Sequence, residues 1–64
     1  LKEYKKAIPH FDKAIQLDKN YGYAYLNRGI AKEELRDFDG ACADWEKAKE
    51  LGVDIATTYL QQCK

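Results

Sequence analysis

The chain has 64 residues, and its 11 basic side chains are balanced by 11 acidic ones. This balance excludes the strong field that draws nucleic acid or an anionic membrane surface, so neither is expected as a partner. No apolar run approaches the ~18 residues of a membrane span. A chain this short buries only roughly 60% of its unfolded surface, so its core is marginal without neighbours.

The first predicted helix covers residues 3–18. Its apolar side chains advance in steps of three and four, which is typical of one face of an α-helix. They are Tyr4, Ala7, Ile8, Phe11, Ala14 and Ile15. Because this pattern is already under way at Leu1, we expect the natural protein to begin earlier.

The second predicted helix covers residues 21–35, with Asn20 as its expected N-cap. Gly29 lies in the middle of this helix, where glycine costs about 1 kcal/mol relative to alanine. A glycine at such a position indicates that another backbone or a large ring lies close to it. One side of the helix carries Ala24, Tyr25, Ala31 and Leu35.

The third and fourth predicted helices cover residues 38–51 and 54–63. Asp37 is the expected N-cap of the third helix, and Gly52 follows as its C-cap. The link between the second and third helices is short, so these two should pack as an antiparallel hairpin. The apolar spacing of the first helix recurs in the third at Phe38, Ala41, Cys42, Trp45 and Ala48.

The chain repeats itself with a period of 34 residues. Large aromatic and small side chains keep their phase between the two copies, as packing between neighbouring helices requires. The identical pairs are Leu1/Leu35, Ala7/Ala41, Lys13/Lys47, Ala14/Ala48, Leu17/Leu51, Tyr25/Tyr59 and Leu26/Leu60.

A 34-residue helix–turn–helix period resembles the tetratricopeptide repeat. The family's characteristic positions are matched by Tyr25, Gly29, Ala41, Trp45 and Ala48 in one unit and by Ala7, Phe11 and Ala14 in the unit before it. The resemblance implies an all-α fold, a right-handed α-α superhelix in which four helices form two staggered antiparallel hairpins. It divides the chain into the second half of one repeat (1–19), a complete repeat (20–53), and the first helix of the next repeat or a C-terminal capping helix (54–64).

The resemblance also implies which residues form the structural core. They are Tyr4, Ala7, Phe11, Ala14, Tyr25, Gly29, Phe38, Ala41, Trp45 and Ala48. The chain departs from the family pattern at Arg28, where leucine is favoured, and at Lys32, where tyrosine is favoured. We expect the stem of Arg28 to be buried and its guanidinium to reach a carboxylate such as that of Asp44.

Stacked repeats present a concave side lined by the first helix of each unit, and in the resembled family this side holds a peptide or protein segment. The residues carried over to that role are Tyr23, Asn27, Ile30, Glu34, Gln61 and Lys64. Tyr23 and Ile30 are equally compatible with packing against a neighbouring repeat. Glu33 and Glu34 argue against an acidic ligand. A protein or peptide partner is therefore expected, with no cofactor.

The two cysteines, Cys42 and Cys63, are interpreted as free thiols, because small disulfide-stapled domains usually carry four or more cysteines. Cys42 falls on an apolar helix face, where a cysteine behaves as a small hydrophobe. No metal site is expected, since the only histidine, His10, has no partner at ligand spacing.

Catalysis within this chain is not expected. The sequence contains no serine and no glycine-rich phosphate loop, and its carboxylates are scattered along helices. Two alternatives remain beside the interaction module: a homo-oligomer formed by end-to-end stacking of the terminal helices, and a non-catalytic repeat within a larger enzyme. The sequence does not specify a compartment, and the cytoplasm is the default expectation.

Overall fold

Four helices account for most of residues 3–63, the part of the chain that the computed structural model describes. They are α1 (Tyr4–Leu17), α2 (Gly22–Glu34), α3 (Phe38–Glu50) and α4 (Ala56–Leu60). Within this part there is no strand, and each helix packs on the next, so the all-α prediction is confirmed. The first three helices agree with their predicted ranges to within one residue at each end. The fourth is shorter than the predicted 54–63.

Both ends of α3 are formed as the sequence predicts. The backbone N–H of Gly40 donates to Oδ1 of Asp37 at 3.0 Å, which confirms Asp37 as the N-cap. After the last turn, Gly52 adopts a positive φ of 94°. This lets the N–H of Val53 donate to the carbonyl of Ala48 at 3.0 Å and close the helix end.

The start of α2 differs from the prediction that Asn20 caps it. The N-cap is Tyr21, with no side-chain cap. The N–H of Asn20 instead donates to Oδ1 of Asp18 at 3.0 Å. This tight turn occupies Asn20, so the helix begins at Gly22, two residues after the predicted cap.

The core lies where α2, α3 and α4 meet. It consists of Leu26, Ala41, Trp45, Ala48, Val53 and Ala56. Trp45 is only 1% exposed, and a Cβ added to Gly29 would lie 2.5 Å from its Nε1 atom. The expectation that a large ring approaches Gly29 is therefore confirmed, and a Cβ at this position would require the ring or its neighbours to shift.

The residues assigned to the core from the resemblance differ in depth. Gly29, Ala41, Trp45 and Ala48 are buried, whereas Tyr4, Ala7, Phe11, Ala14 and Tyr25 are half-buried. Phe38 is 52% exposed, so its assignment to the core is wrong. Its counterpart in the preceding unit, Tyr4, is half-buried beside α2. Phe38 is the first residue of α3, and the helices within residues 3–63 leave about half of it exposed.

The interpretation of both cysteines as free thiols is also wrong. Cys42 of α3 and Cys63 form a disulfide, with their Cα atoms 5.9 Å apart and a separation of 21 residues in sequence. After α4 the chain turns, with the N–H of Cys63 donating to the carbonyl of Leu60 at 2.8 Å. This turn ends the helix early and brings Cys63 to α3. Closing a loop of this length stabilises a fold by about 3 kcal/mol in the chain-entropy model.

Candidate functional site

An open groove of about 290 Å³ runs between α1 and α2. The walls are mostly apolar, with one amide and one carboxylate among them. Its lining residues are Glu3, Tyr4, Ala7, Phe11, Asn27, Ile30 and Ala31. A concave, largely apolar surface with a few polar groups is the usual form of a binding site.

One wall of the groove comes from the predicted binding stripe of α2. Because α2 is a continuous helix, Tyr23, Asn27, Ile30 and Glu34 follow one another along one side of it. Asn27 and Ile30 line the groove. Tyr23, which is 57% exposed, and Glu34 lie on the same side of α2 but not among the lining residues.

The remaining two residues of the predicted site do not join the groove. Gln61 follows α4 and is exposed to solvent. Lys64 lies outside the described residues. The structure therefore brings two of the six predicted residues together in the groove.

The opposite wall of the groove consists of residues that sequence reasoning assigned to the core alone. Tyr4, Ala7 and Phe11 come from α1, which has no fully buried residue. The signal for this second role was present in the sequence, because the first predicted helix has an apolar face, and among the described helices only α2 packs against it. Glu3 lies at the rim, where its carboxylate is 3.1 Å from the ammonium group of Lys6.

A charged cluster behind the groove joins three helices. Arg28 of α2 donates to both carboxylate oxygens of Asp44 of α3, at 2.8 and 2.7 Å, which confirms the expected pair. It also donates to Asp12 of α1 at 2.8 Å. Asp44 is 4% exposed and has a second cation, Lys32, at 3.1 Å. The cluster fixes α1 and α3 relative to α2.

The electrostatics of this cluster keep Arg28 charged. Its hydrogen bonds to Asp44 raise the pKa of Arg28 above the ordinary value, against the opposing effect of burial. Because the pKa is raised, the stability contributed by this cation is fully present below the ordinary pKa of arginine and is lost as the pH rises from there through the raised pKa. The Arg28 guanidinium also lies 5.4 Å from the centre of the Tyr25 ring, in a cation–π contact.

The described residues form neither a group of potential metal ligands nor a membrane-spanning helix. Within residues 3–63, no group of three or more His, Cys, Asp or Glu side chains is placed to hold a metal ion. No helix in the same range combines the length and the apolar character needed to cross a membrane.

Two similar proteins have names that do not describe an enzyme. The chain is 44% identical to RNA polymerase II-associated protein 3 of Xenopus tropicalis over 54 residues, which are 84% of this chain and 8% of that protein. It is 33% identical to Hsp70-Hsp90 organizing protein 1 of Glycine max over 58 residues, which are 91% of this chain and 10% of that protein.

A third similar protein is an enzyme. The chain is 38% identical to UDP-N-acetylglucosamine–peptide N-acetylglucosaminyltransferase of Giardia intestinalis over 52 residues, which are 81% of this chain and 4% of the enzyme. The chain thus spans 4% to 10% of the lengths of these three relatives. No family model and no solved structure matches it.

Proposed function

This chain belongs to the tetratricopeptide-repeat family, and from that premise we propose that it holds a helical segment of a protein partner in the groove between α1 and α2. The observation that carries the proposal is the position of Asn27 and Ile30. They were assigned to partner binding from the sequence, and they face Phe11 across an open groove.

The helical form of the partner follows from the repeat itself. In the next unit, Leu26 of α2 clusters with Trp45 of α3 and Ala56 of α4. The site between α3 and α4 is thus occupied by an α-helix, α2. The groove between α1 and α2 is the counterpart of that packing site one unit earlier, with Phe11 at the position of Trp45. A helix is the shape that such a groove accommodates.

The groove also sets the chemistry of the partner's contact face. Gly29 lies against the Trp45 ring, so by analogy the partner should place a glycine or alanine over Phe11. Its neighbouring side chains should be apolar, to match Ile30 and Ala7. Asn27 can donate to and accept from a polar group of the partner, which would set its register.

A synthetic peptide of residues 20–36, which contain α2, is the direct probe of this proposal. A fluorescently labelled copy should bind the 64-residue chain saturably by anisotropy. Replacing Gly29 by Leu in the peptide should weaken binding at least tenfold, because the larger side chain collides with Phe11. Equal affinity of the two peptides would contradict the helical docking mode.

Variants of the chain locate the bound peptide. Ile30→Glu and Asn27→Ala should weaken binding, while Gln16→Ala, an exposed change on α1, should leave it unchanged. Tyr23→Ala distinguishes the groove from a wider concave stripe, because Tyr23 lies outside the groove lining. A loss with Tyr23→Ala equal to that with Ile30→Glu would favour the wider stripe.

Exposed apolar residues at the other end favour a second candidate, self-association. Leu35, Phe38 and Ile55 are 43%, 52% and 53% exposed. Burying them against the α1 face of a second copy would produce a head-to-tail contact that propagates. Sedimentation should then show association that increases with concentration and is weakened by Phe38→Lys. A monomer across a wide concentration range would remove this candidate.

A third setting is a repeat segment within a larger enzyme, which the match to the transferase favours. In that setting the chain would contribute binding and the chemistry would lie elsewhere. The described carboxylates of Asp12 and Asp44 are engaged by Arg28, and both cysteines are in the disulfide. We assign no catalytic step to this chain.

A further inference from the structure

The disulfide joins the segment that follows α4 to helix α3. Cys42 belongs to α3, and Cys63 follows α4, so the bond ties down the last described segment. Both cysteines are half-buried, not fully enclosed. Partial exposure leaves a route by which a thiolate can reach the bond.

Apart from this bond, apolar packing alone holds α4. Among residues 3–63, no side-chain hydrogen bond or ion pair links α4 to another helix. The contacts of α4 include Ala56, which is fully buried, Leu60, and the Tyr59 ring, whose centre is 5.2 Å from that of Trp45. A helix of five residues has little stability of its own.

We propose that the Cys42–Cys63 disulfide is a redox latch that holds α4 against Trp45. A dithiol reductant opens it in two steps. One reductant thiolate attacks a sulfur of the latch and forms a mixed disulfide, and the second reductant thiol then displaces the protein sulfur. The latch receives two electrons and two protons and becomes two thiols, while the dithiol becomes a disulfide.

Opening the latch releases α4 but leaves the other three helices together. Arg28 still joins α1, α2 and α3 through Asp12 and Asp44, and Gly29 still lies against Trp45. The departure of Tyr59 and Ala56 uncovers one side of the Trp45 ring. Reduction therefore creates an exposed apolar surface at the end of the molecule opposite the groove between α1 and α2, and the latch does not depend on the function proposed for that groove.

Tryptophan fluorescence reports directly on whether α4 covers Trp45, because Trp45 is the only tryptophan in the sequence. Adding a dithiol to the oxidised 64-residue chain should move the emission maximum to longer wavelength and increase quenching by acrylamide severalfold. Amide hydrogen exchange should accelerate at residues 56–63, while α2 and α3 keep their protection.

A variant with Cys42→Ser and Cys63→Ser is the matched control. It should show the red-shifted emission without any reductant, and the dithiol should change nothing further. Three results would overturn the proposal: two free thiols by titration of the air-oxidised chain, unchanged emission and exchange after reduction, or loss of protection across α2 and α3 as well. The last result would make the bond a staple of the whole fold.

Discussion

The helices α1 and α3 carry the same apolar pattern but reach very different depths. In α3, Ala41, Trp45 and Ala48 are at most 1% exposed, whereas α1 has no buried residue. The difference lies in their neighbours, because within residues 3–63 α3 is packed by α2 and α4, whereas α1 is packed by α2 alone. Periodicity thus specifies which face of a repeat helix is apolar, and the surrounding helices decide how deeply it is buried.

The largest difference in unfolding free energy is expected between substitutions of Trp45 in α3 and of Phe11 in α1. Trp45→Ala should lower the free energy of unfolding by about 4 kcal/mol, since a fully buried ring is replaced by a cavity. Phe11→Ala should lower it by only about 1 kcal/mol, because the half-buried Phe11 loses part of its contact. Chemical denaturation of both variants, followed by circular dichroism, measures the difference.

Equal losses of unfolding free energy in Trp45→Ala and Phe11→Ala would contradict the conclusion that α3 is packed more deeply than α1. A domain of this size has a total stability of roughly 3–10 kcal/mol, so Trp45→Ala leaves little margin for folding. If Trp45→Ala does not fold, Trp45→Phe is the milder variant, because it places at position 45 the type of residue that α1 has at the equivalent position, Phe11. Its loss should lie between the other two.

Gly29→Ala tests the close approach of α2 to α3. The added Cβ would lie 2.5 Å from Nε1 of Trp45 and 3.1 Å from the carbonyl oxygen of Ala41. We expect a loss of about 2 kcal/mol, because overpacking exceeds the gain in helix propensity. The matched measurement is the same change in a Trp45→Leu background, where the loss should become smaller. An undiminished loss there would point to the backbone contact with Ala41 as the cause.

Arg28→Ala tests whether the charged cluster holds the exposed helix α1 on the molecule. The change leaves the buried carboxylate of Asp44 with Lys32 as its remaining cation, and we expect a loss of about 2 kcal/mol. Lys6→Ala is the control, because the Glu3–Lys6 pair is largely exposed and should contribute less than about 0.5 kcal/mol. An unchanged melting temperature for Arg28→Ala would show that the cluster contributes no net stability.

The smallest change in stability is expected from substitutions at the equivalent C-terminal ends of α2 and α3. Both end with the same hydrogen-bonding pattern, but α3 uses Gly52 and α2 uses Arg36, which has a φ of 70°. Arg36→Gly should raise the free energy of unfolding by about 1 kcal/mol, since glycine adopts this conformation without a steric penalty. Gly52→Ala should lower it by a similar amount. A loss with Arg36→Gly would mean that the arginine side chain stabilises the turn.

Local patterns predicted most of the architecture. The bounds of α1 to α3, the Asp37 cap, the contact between Gly29 and a large ring and the Arg28–Asp44 pair all follow from residue types at fixed spacing. Each of these depends on neighbours within one repeat unit, which the 34-residue period places reliably.

The features that were missed depend on how the units meet in three dimensions. The Cys42–Cys63 pairing and the early end of α4 both require the turn after Leu60, which no spacing rule encodes. The exposure of Phe38 depends on what packs against the start of α3, and the apolar pattern of α3 alone does not contain that information. The groove walls were predicted only in part, because the apolar pattern of α1 does not distinguish a residue that lines a groove, such as Phe11, from a core residue.

A nuclear magnetic resonance titration of the 64-residue chain with the peptide of residues 20–36 tests most directly whether the groove between α1 and α2 accepts a helix. We predict saturable shifts at Phe11, Asn27 and Ile30 and unchanged resonances in α4, because the groove lies between α1 and α2. The absence of saturable shifts at these three residues, or shifts confined to α3 and α4, would show that this groove does not accept a helix.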